Sequence, residues 1–346
     1  MDSRPRALSD PQNTARILDE ALLQGQPIYN ELELCEATGA TSAQVNDYWQ
    51  TLGLPITNKD ARVFTQADAE AIKSLLELAE SEQFDHRTLT SLIRSAGHTA
   101  ERLALWQAEA LVEHYAHNFG WDDSRARLEF LSEFERMHTV FAAQMEHAWR
   151  RQMAALAGRW FVEFSGDKGV TRGPGQLPLP RAVGFADIVS FTSQTAKMRS
   201  SELSDFVSNF EAAARDIITK AGGRVVKTIG DAVLFIADDV ETGAEAAIGL
   251  AEGGKSESMK ELPQVRVSLV WGRVLSRFGD VFGTSVNLAA RLSDEARPGT
   301  VMMDPNTAGL LATNSNYALI AHDEREIQGL GPISPVQLQR AFKPEF

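Results

Sequence analysis

The chain has 346 residues, 43% of them hydrophobic, with 34 Lys and Arg against 47 Asp and Glu and a formal net charge of −13. That length favours two domains over one, and the acidic balance excludes a general nucleic-acid binder, which needs a basic face to neutralise phosphates. The single cysteine, Cys35, excludes an intrachain disulfide and fits a reducing compartment. No apolar core follows the polar start Met1–Arg6, and no run approaches the roughly 20 residues of a membrane span, so a soluble, cytoplasmic protein is expected.

Residues 10 to about 162 read as helix after helix. Apolar residues recur at three and four positions, Pro and Gly are sparse, and β-branched residues do not cluster. The segments 36–40, 48–55, 62–65 and 68–72 together resemble the helix-turn-helix of MerR-type regulators, which implies DNA binding. The charges oppose it. Residues 31–82 carry ten acids against Lys59, Arg62 and Lys73, and the presumptive recognition helix, Ser42–Leu52, holds no cation. No DNA partner is expected, and the segment reads as a helical packing module.

A long helix is predicted over about 124–161. Phe130, Phe134, Met137, Phe141, Met145, Trp149, Met153, Leu156 and Trp160 form one apolar stripe, with a break conceivable at Gly158. At ~1.5 Å per residue it exceeds 50 Å, more than one small domain needs, so it is expected to dock one domain on the next or to pair two chains. A Gly- and Pro-rich linker over 165–178 then separates an all-α domain, 1–164, from a second domain, 179–346.

In the second domain the texture changes. Strands are predicted over 181–189, 265–271, 300–303, 317–321 and 336–340, and helices over 201–220, 240–252 and 284–296. A hairpin spans 224–237 around Gly230-Asp231. Strands interleaved with helices about a central hairpin indicate a ferredoxin-like α+β arrangement.

Four features carry chemistry. Asp187 ends an apolar strand and Asp231 tips the hairpin; each alone reads as a turn residue, but together with phosphate oxygens they suit Mg²⁺. Lys227 lies four residues before Asp231, so the hairpin looks built to hold a cation and an anion. Downstream, Asn287 and Arg291 share a helix face among small and apolar neighbours, so the helix is expected to be well buried. A buried Arg needs an anion, either phosphate, which its fork matches, or a structural carboxylate.

Residues 185–192, 227–231 and 280–291, in that order, resemble the class III nucleotidyl cyclase catalytic domain over roughly 180–340. The resemblance implies two Mg²⁺ or Mn²⁺ ions per active site, held by Asp187 and Asp231 with the Ile188 carbonyl assisting. It implies that Lys227 and Asp280 read the base, that Phe191 and Thr192 line the substrate site, that Asn287 orients the ribose and that Arg291 neutralises the reacting phosphate. It further implies a homodimer with active sites at the interface. Lys offers only donors and ionised Asp only acceptors, which complements adenine's N1 and N6 and favours ATP over GTP. A guanylate cyclase, or a degenerate cyclase or MerR-like module without catalysis, is the alternative. Gln328 stands where similar cyclases carry a phosphate-binding Lys or Arg; either Arg325 substitutes or triphosphate binding is weaker. The helical half resembles, less specifically, the inhibitory domain of some actinobacterial cyclases. That implies autoinhibition relieved by an effector: a proton, through His114, His117, His138 or His147, or a lipid or other apolar molecule.

Overall fold

The computed structural model describes residues 11–165, 179–253, 262–277 and 279–341. The chain divides into two compact units, residues 1–169 and 170–346. In the first, α1 covers Pro11–Leu22, α2 Glu31–Thr38, α3 Ser42–Leu52, α4 Gln66–Ser81, α5 His86–Phe119 and α6 Asp123–Ser165. Asn30 with Glu33, Thr41 with Gln44 and Thr65 with Asp68 form reciprocal capping boxes that satisfy the free N–H groups opening α2, α3 and α4. Gly39, Gly53 and Gly120 close α2, α3 and α5 in the left-handed conformation.

A small core of Leu34, Val45, Phe64, Ala69 and Ile72 joins α2, α3 and α4. The buried carboxylate of Glu31 accepts hydrogen bonds from Ser42 Oγ, from Asn46 Nδ2 at 2.8 Å and from Lys59 Nζ at 3.1 Å, while Arg62 pairs with Glu33. Two of the three cations in this acidic stretch are therefore spent inside the module. The α6 helix runs unbroken through Gly158 for 43 residues. Its stripe splits by burial. Phe130, Phe134, Met137 and Phe141 are half-buried, whereas Met145, Trp149, Met153 and Trp160 are exposed. The predicted linker lies outside the described residues apart from Ser165, which ends α6. No described helix is long and apolar enough to cross a membrane.

The second unit contains β1 (Leu179–Ile188), α7 (Phe191–Thr195), α8 (Ser200–Lys220), β2 (Arg224–Ile229), β3 (Ala232–Ala237), α9 (Val240–Gly253), β4 (Val265–Arg277), β5 (Asp280–Phe282) and α10 (Thr284–Glu295). β6 (Val301–Met303), α11 (Pro305–Leu311), β7 (Tyr317–Ala321), β8 (Arg325–Ile327), β9 (Gly331–Ile333) and β10 (Val336–Arg340) follow. The main sheet has the order β2-β3-β1-β4-β6-β10-β7, and β5 folds back on the far end of β4. Within it, β1–α8–β2–β3–α9–β4 is the ferredoxin-like split βαβ unit. The sequence left out α7, α11 and the β8–β9 hairpin, and ended β4 at residue 271 where it runs to Arg277.

Alternation along the strands sends side chains to two cores. Ala182, Ala186, Phe235, Val267 and Leu269 meet Phe210, Ala214 and Ile218 of α8 and Ala244, Ala247 and Ile248 of α9. Val183, Phe185, Leu234, Val270 and Met302 meet Ala289 and Leu292 of α10 on the other face. Burying such a large side chain contributes about 1.5–3 kcal/mol, so the two cores fix the sheet between its helices. A β-bulge between Val225 and Lys227 breaks strict alternation in edge strand β2.

Candidate active site

The end of β1 brings two carboxylates together. Asp187 stands opposite Ala232 on β3 and opposite Arg266 on β4. The two-residue turn between β2 and β3 is Gly230-Asp231, and Gly230 takes φ +62°, which a glycine adopts without strain. The Ile188 N–H donates to the Asp231 carbonyl at 3.1 Å, tying that turn to the end of β1. Burial, and then the negative charge of Asp231, push the Asp187 carboxyl above the usual aspartate range, against the pull of Arg266. Ile188 is buried in the core beside α8 and α9, so its side chain offers a ligand nothing.

Such a pair of acids is short of positive charge. Carboxylate and carbonyl oxygens are the donors that Mg²⁺ and Mn²⁺ prefer. Among the described residues no group of three or more His, Cys, Asp or Glu is gathered for a metal. The donor set therefore fits a cation that takes its remaining ligands from water or phosphate. Sequence reasoning missed Arg266, whose Nη2 donates to Asp187 Oδ2 at 2.7 Å. It sits inside a run that reads as an ordinary alternating strand, and its partner is visible only once the β1–β4 register is known.

Lys227 and Asp280 form a second centre. Lys227 pairs with Leu234, which belongs to the α10-side core, so it sits on the same sheet face as Asp187. Its Nζ donates to Asp280 Oδ2 at 2.5 Å, and the Val281 N–H donates to Asp280 Oδ1 at 2.8 Å. Edge strand β2 is thereby joined to the β4–β5 hairpin. Phe191 is half-buried, packs against the α8–α9 core and lies 6.2 Å from the Phe206 ring, while Thr192 is exposed on α7.

Asn287 and Arg291 depart from expectation. The helix α10 buries Ala289, Leu292 and Ser293, but the face carrying Asn287 and Arg291 is exposed. The periodicity put both on one face correctly; their small neighbours hid that this face is the outer one. The Arg291 Nη1 lies 3.9 Å from Asp294 Oδ2, and neither Asn287 nor Arg291 bonds to Asp187, Asp231, Lys227 or Asp280. Arg325 Nη1 is held by Glu295 Oε2 at 3.1 Å, and Gln328 is exposed between β8 and β9.

Residues 181–340 match the family described as the adenylate and guanylate cyclase catalytic domain. Over 341 residues the chain is 35% identical to an adenylate cyclase of Glutamicibacter nicotianae, covering 96% of this chain and 83% of that one. An adenylate cyclase of Streptomyces coelicolor is 33% identical over 287 residues, 83% of this chain and 72% of that one. A pH-sensitive adenylate cyclase of Mycobacterium tuberculosis is 26% identical over 279 residues, 78% and 67% of the two chains.

Proposed function

The chain belongs to the class III adenylate and guanylate cyclase family, and from that premise we propose that it is an adenylate cyclase, converting ATP to 3′,5′-cyclic AMP and pyrophosphate. The observation that carries the reading is the Asp187–Asp231 pair at one sheet end, with the complementary Lys227–Asp280 pair on the same face. Asp187 and Asp231, with the Ile188 carbonyl, would hold two Mg²⁺ or Mn²⁺ ions, which when bound stabilise the attacking and leaving oxygens of a phosphoryl displacement. Lys227 donates to adenine N1 and Asp280 accepts from its amino group, so the pair that neutralises itself in the free chain opens to read the base. Asn287 orients the ribose so that its 3′-hydroxyl faces the α-phosphate. Arg291 neutralises charge as the 3′-oxygen attacks and pyrophosphate departs. The attack is intramolecular, so alignment and preorganised charge supply most of the catalysis. Phe191 anchors α7 in the core and sets Thr192 beside the substrate.

The exposed Asn287–Arg291 face makes no bond to the acid pair of its own chain. A two-fold homodimer, each chain giving its acids to one site and its Lys227, Asp280, Asn287 and Arg291 to the other, supplies what each chain lacks. The test is incubation of full-length protein with ATP or GTP and Mn²⁺, with detection of the cyclic product. Cyclic AMP as the main product, lost in Asp231→Ala, supports the reading; no product from either nucleotide by a confirmed dimer overturns it. The helical unit is read as the regulator, inhibiting at rest through α6. A proton or an apolar molecule serves as effector, and similarity to a relative named as pH-sensitive favours the proton.

A further inference from the structure

The acid pair already holds a cation belonging to the protein. Asp187 and Arg266 are cross-strand partners on antiparallel strands, so their side chains leave the same sheet face. The guanidinium lies 2.7 Å from Asp187 Oδ2, and the two side chains are only 31% and 22% exposed, so water screens the pair less than a surface ion pair. Arg266 is also poorly satisfied there: its Nε is buried and without a partner. The other cations of the site are engaged elsewhere, Lys227 on Asp280 and Arg291 beside Asp294.

We propose that Arg266 is a positioning residue that competes with the divalent cation for Asp187. The inference rests on the metal role proposed above for Asp187 and Asp231. With no metal, Arg266 neutralises Asp187 and keeps the carboxylates from repelling each other unchecked. A divalent cation reaching the pair adds positive charge directly beside the guanidinium, which has to leave Asp187 Oδ2 before that oxygen can act as a ligand. The affinity of the site for metal alone is therefore set below what its two carboxylates would give by themselves. Any anion that draws the guanidinium away raises that affinity, and by linkage the metal strengthens the anion's hold to the same degree.

The test is Mn²⁺ binding to the full-length protein without nucleotide, by calorimetry and by the electron-spin signal of free Mn²⁺. Arg266→Gln keeps a polar side chain and removes the charge. It should bind Mn²⁺ about tenfold more tightly than the native protein, within the usual range of coupling between ligands. Its unfolding temperature should rise more on adding Mn²⁺ than that of the native chain. A residue that only braced the fold would weaken metal binding when removed, so a tighter site separates the two roles. Should Arg266→Gln fail to fold, Arg266→Lys carries the test: a single-point ammonium grips Asp187 less well than the fork, and affinity should rise by a smaller factor. Affinity unchanged or lowered in a folded variant overturns the proposal and leaves the metal site standing. If Asp187→Asn binds Mn²⁺ as well as the native protein does, the metal assignment itself fails, and the proposal with it.

Discussion

Removing one member of the Lys227–Asp280 pair tests stability and base recognition together. Lys227→Met keeps the aliphatic stem without the ammonium, and Asp280→Asn keeps the shape without the charge. In the native chain the two meet at 2.5 Å, with side chains 39% and 24% exposed. A fully exposed pair contributes about 0.2–1 kcal/mol, and breaking a fully buried one costs about 3–5 kcal/mol. This pair lies between those limits and towards the exposed one, so either single change should cost about 1–2 kcal/mol. At roughly 2–4 °C per kcal/mol for a domain of this size, the unfolding temperature should fall by a few degrees. The double variant should lose little more than either single one, a coupling of about 1 kcal/mol. In the assay of cyclic product, each single variant leaves one polar position of the adenine edge unmatched, and the preference for ATP over GTP in kcat/KM should drop about tenfold or more. Additive losses of stability would show that the pair does not form in solution. An unchanged nucleotide preference in both variants would remove the base-reading role.

Acidification and helix packing provide two further tests. The Ser42, Lys59 and Asn46 hydrogen bonds hold the buried Glu31 carboxyl below its ordinary 4.5, against the cost of burial. A lowered folded value means that this stability is fully present above about 4.5 and is lost as pH falls through the folded value. The advantage of the native protein over Glu31→Gln in unfolding temperature should therefore be greatest near pH ~7 and shrink below pH ~4.5; an advantage that grows on acidification would refute the assignment. A methyl group added at Gly97 would lie 2.6 Å from the Leu52 carbonyl oxygen and 2.7 Å from its Cα, backbone atoms that cannot swing aside. Gly97→Ala should cost about 1–3 kcal/mol by urea unfolding. Gly158→Ala in α6, with open space around it, should instead stabilise by roughly 0.5–1 kcal/mol.

The parts of the second unit legible in the sequence are those whose signals are local. Val225–Ile229 and Ala232–Phe235 alternate or run apolar about Gly230-Asp231, and the β2–β3 hairpin forms there. Asn287 and Arg291 stand four apart and share a face. What stayed hidden depends on register or on tertiary support. The three-residue strand β5 exists because Asp280, Val281 and Phe282 pair back on Arg277, Ser276 and Leu275; no propensity in three residues announces it. The end of β4 turns outward after Val274, so its apolar pattern fades where the strand continues. At five residues, α7 is too short to show a period. Arg266 was missed for the same reason: its importance comes from the strand it lies beside.

The bulge in β2 has a consequence for how substrate preference can change over time. Strict alternation from Val225, which packs against the α8–α9 core, would aim Lys227 into aliphatic side chains. The extra residue lets Val225 stay in that core while Lys227 emerges on the opposite face, partly open to solvent. Position 227 is thus released from the packing constraints of its own strand. Replacements there can be sampled without repacking either core, so the fold can drift among nucleotides while its scaffold stays intact. Deleting Thr228 would remove the bulge with Val225 still in register, pair Lys227 with Val233 and turn it into the α8–α9 core. Every later change at 227 would then cost core packing as well as the ion pair.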